Sequence, residues 1–419
     1  MRGNVSSGSH RTFYKWVTNI NSLNVKENMR LYHLSALVIF ISVFFQSFYI
    51  DLQFAVKPFM IASALIAVLI SKYYVIPRFL KFELLLFTFF IYYCLTGLFS
   101  TYKYYSLRLI VLIVIVLFFY SLVRFLFYRL SIASMEKIIM QVGLIFNISS
   151  LLFFFNGVFQ VNFDFAGNNI TSMGLLIDRG MPRLIGTSID PNIFVLFNSL
   201  FLFYFIERKH KLGTILSITT IILTFSRGGY IAVGLPLILG LIVFKNKGRA
   251  KSIFGILLTS MTVPFILNFL FDINIWKIIN GRFMSIGDDR GSGRYEIWGN
   301  ALQLFWEHPF FGIGIYNFQQ YNLHYFNDFH YPHNTYLEIL VESGIVGFTL
   351  FLLVLVTFAF KLYELQKART ETRFLLLTLL SMMISMFTLS TAVSEFLFLF
   401  FALSFRYVIE NEKRWEYSV

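Results

Sequence analysis

Long apolar runs alternate with short polar connections along almost the whole chain. A run of roughly 18 or more apolar residues is long enough to cross about 30 Å of hydrocarbon as a helix. The pattern predicts twelve such spans, at roughly 31–50, 55–71, 82–99, 106–123, 138–156, 190–206, 211–226, 229–244, 252–271, 343–360, 374–390 and 392–408. Two connections break the rule of brevity, at about 157–189 and 272–342. Long connections in compact proteins are usually functional or disordered. The second is not low in complexity: it carries Trp276, Trp298, Trp306 and the histidines His308, His324, His330 and His333. Within it, Arg294, Ile297, Trp298, Ala301, Leu302 and Phe305 follow the i, i+3, i+4 spacing of an amphipathic helix. Gly293 before it and Pro309 after it are suitable ends. The expectation is an ordered cap with a helix lying against the membrane surface.

The predicted fold class is an all-α polytopic membrane protein of about twelve transmembrane helices with a large, partly helical outer loop. Residues 1–30 form an N-terminal tail and 31–271 the first nine spans, interrupted by the outer loop 157–189. Residues 272–342 are the large outer loop, 343–408 the last three spans, and 409–419 a C-terminal tail.

Composition agrees. The chain is 57% hydrophobic and only 14% charged, with a mean hydropathy of +0.69, too little charge to wet a soluble protein of this size. A net charge of +13 would suit nucleic acid if it formed a patch, but the charges fall in short connections between apolar runs. No nucleic-acid partner is expected. Most of the 35 basic residues fall on alternate connections, from Arg2, Arg11, Lys15, Lys26 and Arg30 through Lys245, Lys247, Arg249 and Lys251 to Arg406, Lys413 and Arg414. The positive-inside rule then puts both termini in the cytoplasm and the two long loops outside. The first span follows a long polar tail without a small-residue cleavage site, so it reads as a retained anchor. Cys94 is the single cysteine, which excludes a disulfide framework and a thiolate metal site. The 53 phenylalanines suit lipid-facing packing.

The unusual residues gather on the predicted outer face. Pro332-His333-Asn334 precedes, by nine residues, Gly344-Ile-Val-Gly347. Thr224-Phe-Ser226-Arg227-Gly228 ends the seventh predicted span. Gly293-Arg294-x-x-x-Trp298 opens the loop helix, and His308-Pro309-Phe-Phe-Gly312-Ile-Gly314 follows it. Arg183-Leu-Ile-Gly186-Thr-Ser-Ile-Asp190-Pro191-Asn192 precedes the sixth span. Arginine offers a planar fork matched to phosphate oxygens, and Arg183, Arg227 and Arg294 all map to this face. His333 is of the type that takes a proton from a hydroxyl near neutral pH.

These segments, in this order over roughly 180–350, resemble the O-antigen ligase and O-antigen polymerase superfamily. The resemblance implies a membrane-embedded, metal-independent, inverting glycosyltransferase that uses no cofactor. Its donor would be an undecaprenyl-diphosphate-linked oligosaccharide and its site would lie on the periplasmic side of a bacterial inner membrane. It implies catalytic roles for His333, Arg227 and Arg294, and binding of diphosphate or glycan by Arg183, Arg179, Trp298, Asn334 and Glu342. Asn334 is also placed to orient His333 or to cap the following helix. Besides membrane lipid, a flippase and a chain-length regulator would be partners. Polymerisation of lipid-linked repeats and ligation to a lipid A–core acceptor use the same motifs. Phe348, after the second glycine, stands where ligases often carry a small or β-branched residue.

Other readings of the same residues are weaker. Arg227 could be a snorkelling helix-end anchor, and Arg282 and Arg290 solvated loop charges. Asp288-Asp289, between Gly287 and Arg290, reads as a polar turn rather than a metal site. The gaps among the four loop histidines fit no common zinc pattern. Gly312-Ile-Gly314 follows no strand and is no dinucleotide fingerprint. Glu342 and Glu395 are ionisable groups near the membrane and therefore candidates for function. A transporter would place its polar residues near the middles of the spans, often in repeated halves; here the middles are nearly free of charge.

Overall fold

The computed structural model describes residues 29–52, 54–244 and 293–416. The predicted ninth span at 252–271, the N-terminal tail, Trp276, Arg282, Asp288, Asp289 and Arg290 lie outside the described residues. Among the described residues, eight helices come before residue 245: α1 (Met29–Phe44), α2 (Pro58–Ile70), α3 (Lys81–Thr96), α4 (Lys103–Arg129), α5 (Ile132–Gln160), α6 (Pro191–Glu207), α7 (Lys211–Leu223) and α8 (Arg227–Phe244). After it come α9 (Arg294–Glu307), α10 (Phe318–Phe326), α11 (Thr335–Ala368), α12 (Arg373–Ser385) and α13 (Glu395–Glu416). Every predicted span but 252–271 overlaps one of these helices. By length and composition α4, α5 and α11 are able to cross a membrane, while α1, α2, α6, α7 and α8 are apolar but shorter. These apolar helices mark a helical membrane protein.

The all-α expectation needs correction at the 157–189 loop. It holds an antiparallel three-stranded sheet of β3 (Ile170–Ser172), β4 (Leu175–Asp178) and β5 (Met181–Leu184), in that spatial order. A second, two-stranded ladder pairs β1 (Ile50–Asp51) with β2 (Ala55–Val56). Burial alternates along β4 and β5, which is the signature of a half-covered strand. A two-residue turn at Arg179 and Gly180, with φ of 54° and 71°, joins them, and left-handed positions in such a turn match the twist of the strands. The segment was too short for its period of two to stand out beside the helices.

Packing explains the phenylalanines differently from the sequence reading. Many lie inside the bundle rather than toward lipid: the Phe44 ring sits 4.7–5.7 Å from those of Phe146, Phe197, Phe201 and Phe396. Polar locks cross the same interior. Arg124 of α4 donates from Nε to Glu83 of α3 at 2.5 Å and from Nη1 to the Pro77 carbonyl at 2.9 Å. Asn147, Asn198 and Thr220 join α5, α6 and α7 through bonds of 2.6–3.2 Å; buried polar groups without such partners would be costly in hydrocarbon.

The longest helix, α11, is broken inside. Gly344 has φ 64° and ψ −171°, which is not helical. The break frees the carbonyls of Val341 and Glu342 and the amides of Ile345 and Val346 from their ladder partners, and buried backbone groups must be paired elsewhere. The segment 309–314 crosses here and takes all four. The Ile313 and Gly314 amides donate to Val341 and Glu342 at 3.0 Å each, and Ile345 and Val346 donate to Pro309 and Phe310 at 2.8 and 3.5 Å. A Cβ on Gly344 would meet the Phe310 carbonyl at 2.2 Å, and one on Gly312 the Glu342 backbone at 2.4 Å. Both glycines also have positive φ, so contact and conformation each require glycine.

Candidate functional site

Four helices begin at one place, and each start carries a residue that the sequence singled out. Asp190 caps α6 by accepting from the amides of Asn192 and Ile193 at 2.7 and 3.2 Å. Ser226 caps α8 by accepting from Gly229 at 3.0 Å, which makes Arg227 the first residue of that helix rather than the end of the preceding one. Arg294 is the first residue of α9; its N-cap, Gly293, has φ 75° and offers no side-chain cap. Asn334 caps α11 by accepting from Tyr336 and Leu337 at 3.1 and 3.2 Å, leaving His333 immediately outside. The capping residue types are those that favour helix starts.

Cross-links hold these starts together. The Ser226 hydroxyl donates to the Asn192 side chain, tying α8 to α6. Arg183 of β5 donates from Nε to the Thr224 carbonyl at 3.1 Å and from Nη1 to Asp178 at 2.9 Å. Trp298 of α9 donates from Nε1 to the Pro332 carbonyl at 2.9 Å. Thr335 is pinned to the turn after α12, its amide donating to Met386 at 2.8 Å and its hydroxyl to Leu389 at 2.6 Å. The residues next to two motif corners, Phe225 and His333 itself, have φ of 48° and 46°. Non-glycine residues in this region carry strain that persists where surrounding bonds enforce it.

The charges act on one another. Burial pushes the Arg294 guanidinium below its usual range, and the neighbouring Arg183 and Arg227 add to this while Asp190 opposes it. His333 is pushed below the ordinary histidine value by partial burial first, then by Arg294 and His330, against the pull of Asp190. Its side chain remains open to solvent, yet enough protein surrounds the ring to disfavour the imidazolium. Arg183, Arg227, Arg294, His333 and Asp190 therefore form one electrostatic cluster. Helix N-termini favour anions and arginine forks match phosphate or carboxylate oxygens, so the cluster suits a bound anion with a proton acceptor beside it. Among the described residues no group of three or more His, Cys, Asp or Glu gathers to hold a metal.

The other candidates are engaged in contacts of their own. Arg179 occupies the exposed β4–β5 turn, 4.0 Å from Asp178. Trp298 spends its indole N–H inside the protein, and Asn334 serves as a helix cap. Glu342 is fully buried and accepts from the amides of Tyr316 and Phe318 at 2.8 and 3.2 Å and from the hydroxyls of Tyr331, at 2.9 Å, and Tyr93. Four donors on two oxygens make it an internal anchor, out of reach of a glycan. The amphipathic helix is α9, and Ile297, Ala301 and Leu304 are its buried positions. They pack on Val341 and Phe318, while Leu302, expected on that face, is 44% exposed. Sequence reasoning quoted Asp190 and Asn192 without giving them a role; their position before a proline-initiated helix was the available signal. It passed over Glu338, which is buried with one carboxylate oxygen lacking a hydrogen-bond partner.

Residues 212–352 match the family model described as O-Antigen ligase. The matched stretch includes Arg227, Arg294, His333 and both glycines of the 344–347 motif. A protein of Haemophilus influenzae bearing only the name "Uncharacterized protein" is 28% identical over 186 residues, a match covering 37% of this chain and 45% of that relative. The chain thus spans less than half the length of the relative it matches. The segment 212–352 is thus similar to the O-antigen polymerase and ligase superfamily.

Proposed function

We propose that this protein is a polymerase that transfers an undecaprenyl-diphosphate-linked glycan onto another lipid-linked repeat at the outer face of a bacterial inner membrane. The observation that carries this reading is the meeting of Arg227, Arg294 and His333 at three helix starts, with Arg183 of β5 beside them. The diphosphate is the leaving group. Arg227 and Arg294 hold it, Arg183 supports them from β5, and the open N-terminus of α9 adds its partial positive charge. His333 takes the proton of the attacking sugar hydroxyl, and attack opposite the diphosphate inverts the anomeric carbon. Twelve spans with both termini in the cytoplasm would bring this cluster to the periplasmic side.

Ligation to a lipid A–core acceptor is the second reading, favoured by the description of the matching family model as O-Antigen ligase. Phe348, where ligases often carry a small or β-branched residue, weighs slightly toward polymerisation. Both readings meet one test: deletion of the gene in the source strain, complementation with wild type or with His333→Ala, Arg227→Ala or Arg294→Ala at matched membrane levels, and electrophoresis of the surface glycan. Loss of the ladder with a single repeat still attached to its acceptor supports polymerase. Full-length polymer left on undecaprenyl diphosphate supports ligase. A normal ladder from all three variants sinks the proposed site.

A further inference from the structure

We propose that Asp190 is a positioning residue for this reaction: its carboxylate, locked by the α6 cap, is the fixed counter-charge that serves Arg294 and His333. The proposal rests on the transferase reading above and deepens it.

Three observations lead there. First, the orientation of Asp190 is fixed, because Oδ1 accepts two amides of the first turn of α6 and Pro191 opens that helix. Second, its location is fixed independently. Asn192, two residues on, receives the hydroxyl of Ser226, the neighbour of Arg227, so the α6 cap and the α8 start are held side by side. Third, of the described residues Asp190 is the one anion whose charge reaches both Arg294 and His333. The groups facing Arg294 are Arg183 from β5, Arg227 from α8 and Asp190; those facing His333 are Arg294 from α9, His330 from the same loop and Asp190.

Several cations in partly desolvated surroundings repel one another, and their assembly without an anion is costly. Asp178 meets this need for Arg183 at 2.9 Å. Asp190 meets it for Arg294 and His333 through space. That arrangement has two effects on catalysis. It keeps the imidazole basic enough to take a proton, because a nearby carboxylate favours the imidazolium. It also weakens the hold of the arginines on an incoming anion, which aids release of the diphosphate product. Removing the negative charge alone should therefore lower kcat and lower the donor KM together, a split that loss of a helix cap would not produce.

Asp190→Asn makes that separation, since asparagine caps a helix start as well as aspartate does; Asp190→Ser is a second neutral cap. The full chain would be assayed in proteoliposomes with lipid-linked oligosaccharide extracted from the deletion strain, and with inorganic diphosphate as a competing anion. The expected result is a fall in kcat on the order of tenfold, a lower donor KM, inhibition at lower diphosphate concentration, and an acid limb of the rate profile moved to lower pH. Wild-type kcat, KM and pH profile in both variants would overturn the proposal, as would losses that only track the amount of folded protein. If Arg294→Ala and His333→Ala are themselves fully active, the site reading fails; if they are inactive while both Asp190 variants match wild type, this inference alone fails.

Discussion

The indole Nε1 of Trp298 donates to the main-chain carbonyl of Pro332 at 2.9 Å, and this bond ties the helix that opens with Arg294 to the corner that carries His333. In the proposed transfer, a cation for the leaving group and a base for the nucleophile must share one geometry, because small displacements in a reacting site cost large factors in rate. Trp298→Phe keeps the ring's packing and removes the donor. The expected outcome is a fall in turnover of about fivefold to tenfold, from a bond worth about 1 kcal/mol and the slack its loss introduces. Rates in membranes at matched protein levels check this, and a wild-type rate would remove Trp298 from the positioning scheme.

The second prediction concerns pH. A base must be neutral to accept a proton, and partial burial, with Arg294 and His330 adding to it, holds His333 below the ordinary value of 6.5. The neutral form therefore persists to lower pH than for a free histidine, and activity should fall only as pH drops through that lowered value. The acid limb of the rate profile is expected below 6.5. A limb at or above it, abolished in no histidine variant, would assign the base elsewhere.

Glu342→Gln separates an anchor from a ligand. The carboxylate accepts from two amides and two tyrosine hydroxyls, and an amide NH₂ in its place faces donors with a donor. Loss of such a buried acceptor costs about 1–3 kcal/mol, more for a charged group. The melting temperature in detergent and the membrane level should both fall, with little change in rate per folded molecule. An unaltered melting temperature with a raised donor KM would instead return Glu342 to the binding site.

The apolar periodicity located the helices because burial and membrane packing both write a dense, regular signal into sequence. Arg227, Arg294 and His333 were legible for a related reason, as each adjoins a cap or turn residue of characteristic type: Ser226, Gly293 and Asn334. Arg179 was misleading, since an arginine beside glycine in a short turn reads like its neighbour Arg183 until strand pairing is known. Glu342 was misread because four donors from three separate segments cannot be seen along one chain. The link between Gly312 and Gly344 escaped for the same reason. Both motifs were visible, but only the packing of one on the other shows that Gly344 makes room for the backbone at Phe310 and Gly312 for that at Glu342.

The break in α11 has a mechanical consequence. As one unbroken rod, its 34 residues would extend roughly 50 Å, and any change of tilt in the bilayer would swing the far end and carry His333 with it. The joint at Gly344 divides the rod into a short arm and a long one. The short arm is bolted to the 309–314 segment and, through Thr335, to the turn after α12. The same segment also holds Ile345 and Val346 at the start of the long arm, so the bend itself is clamped and fixes the angle between the long arm and the arm that carries His333.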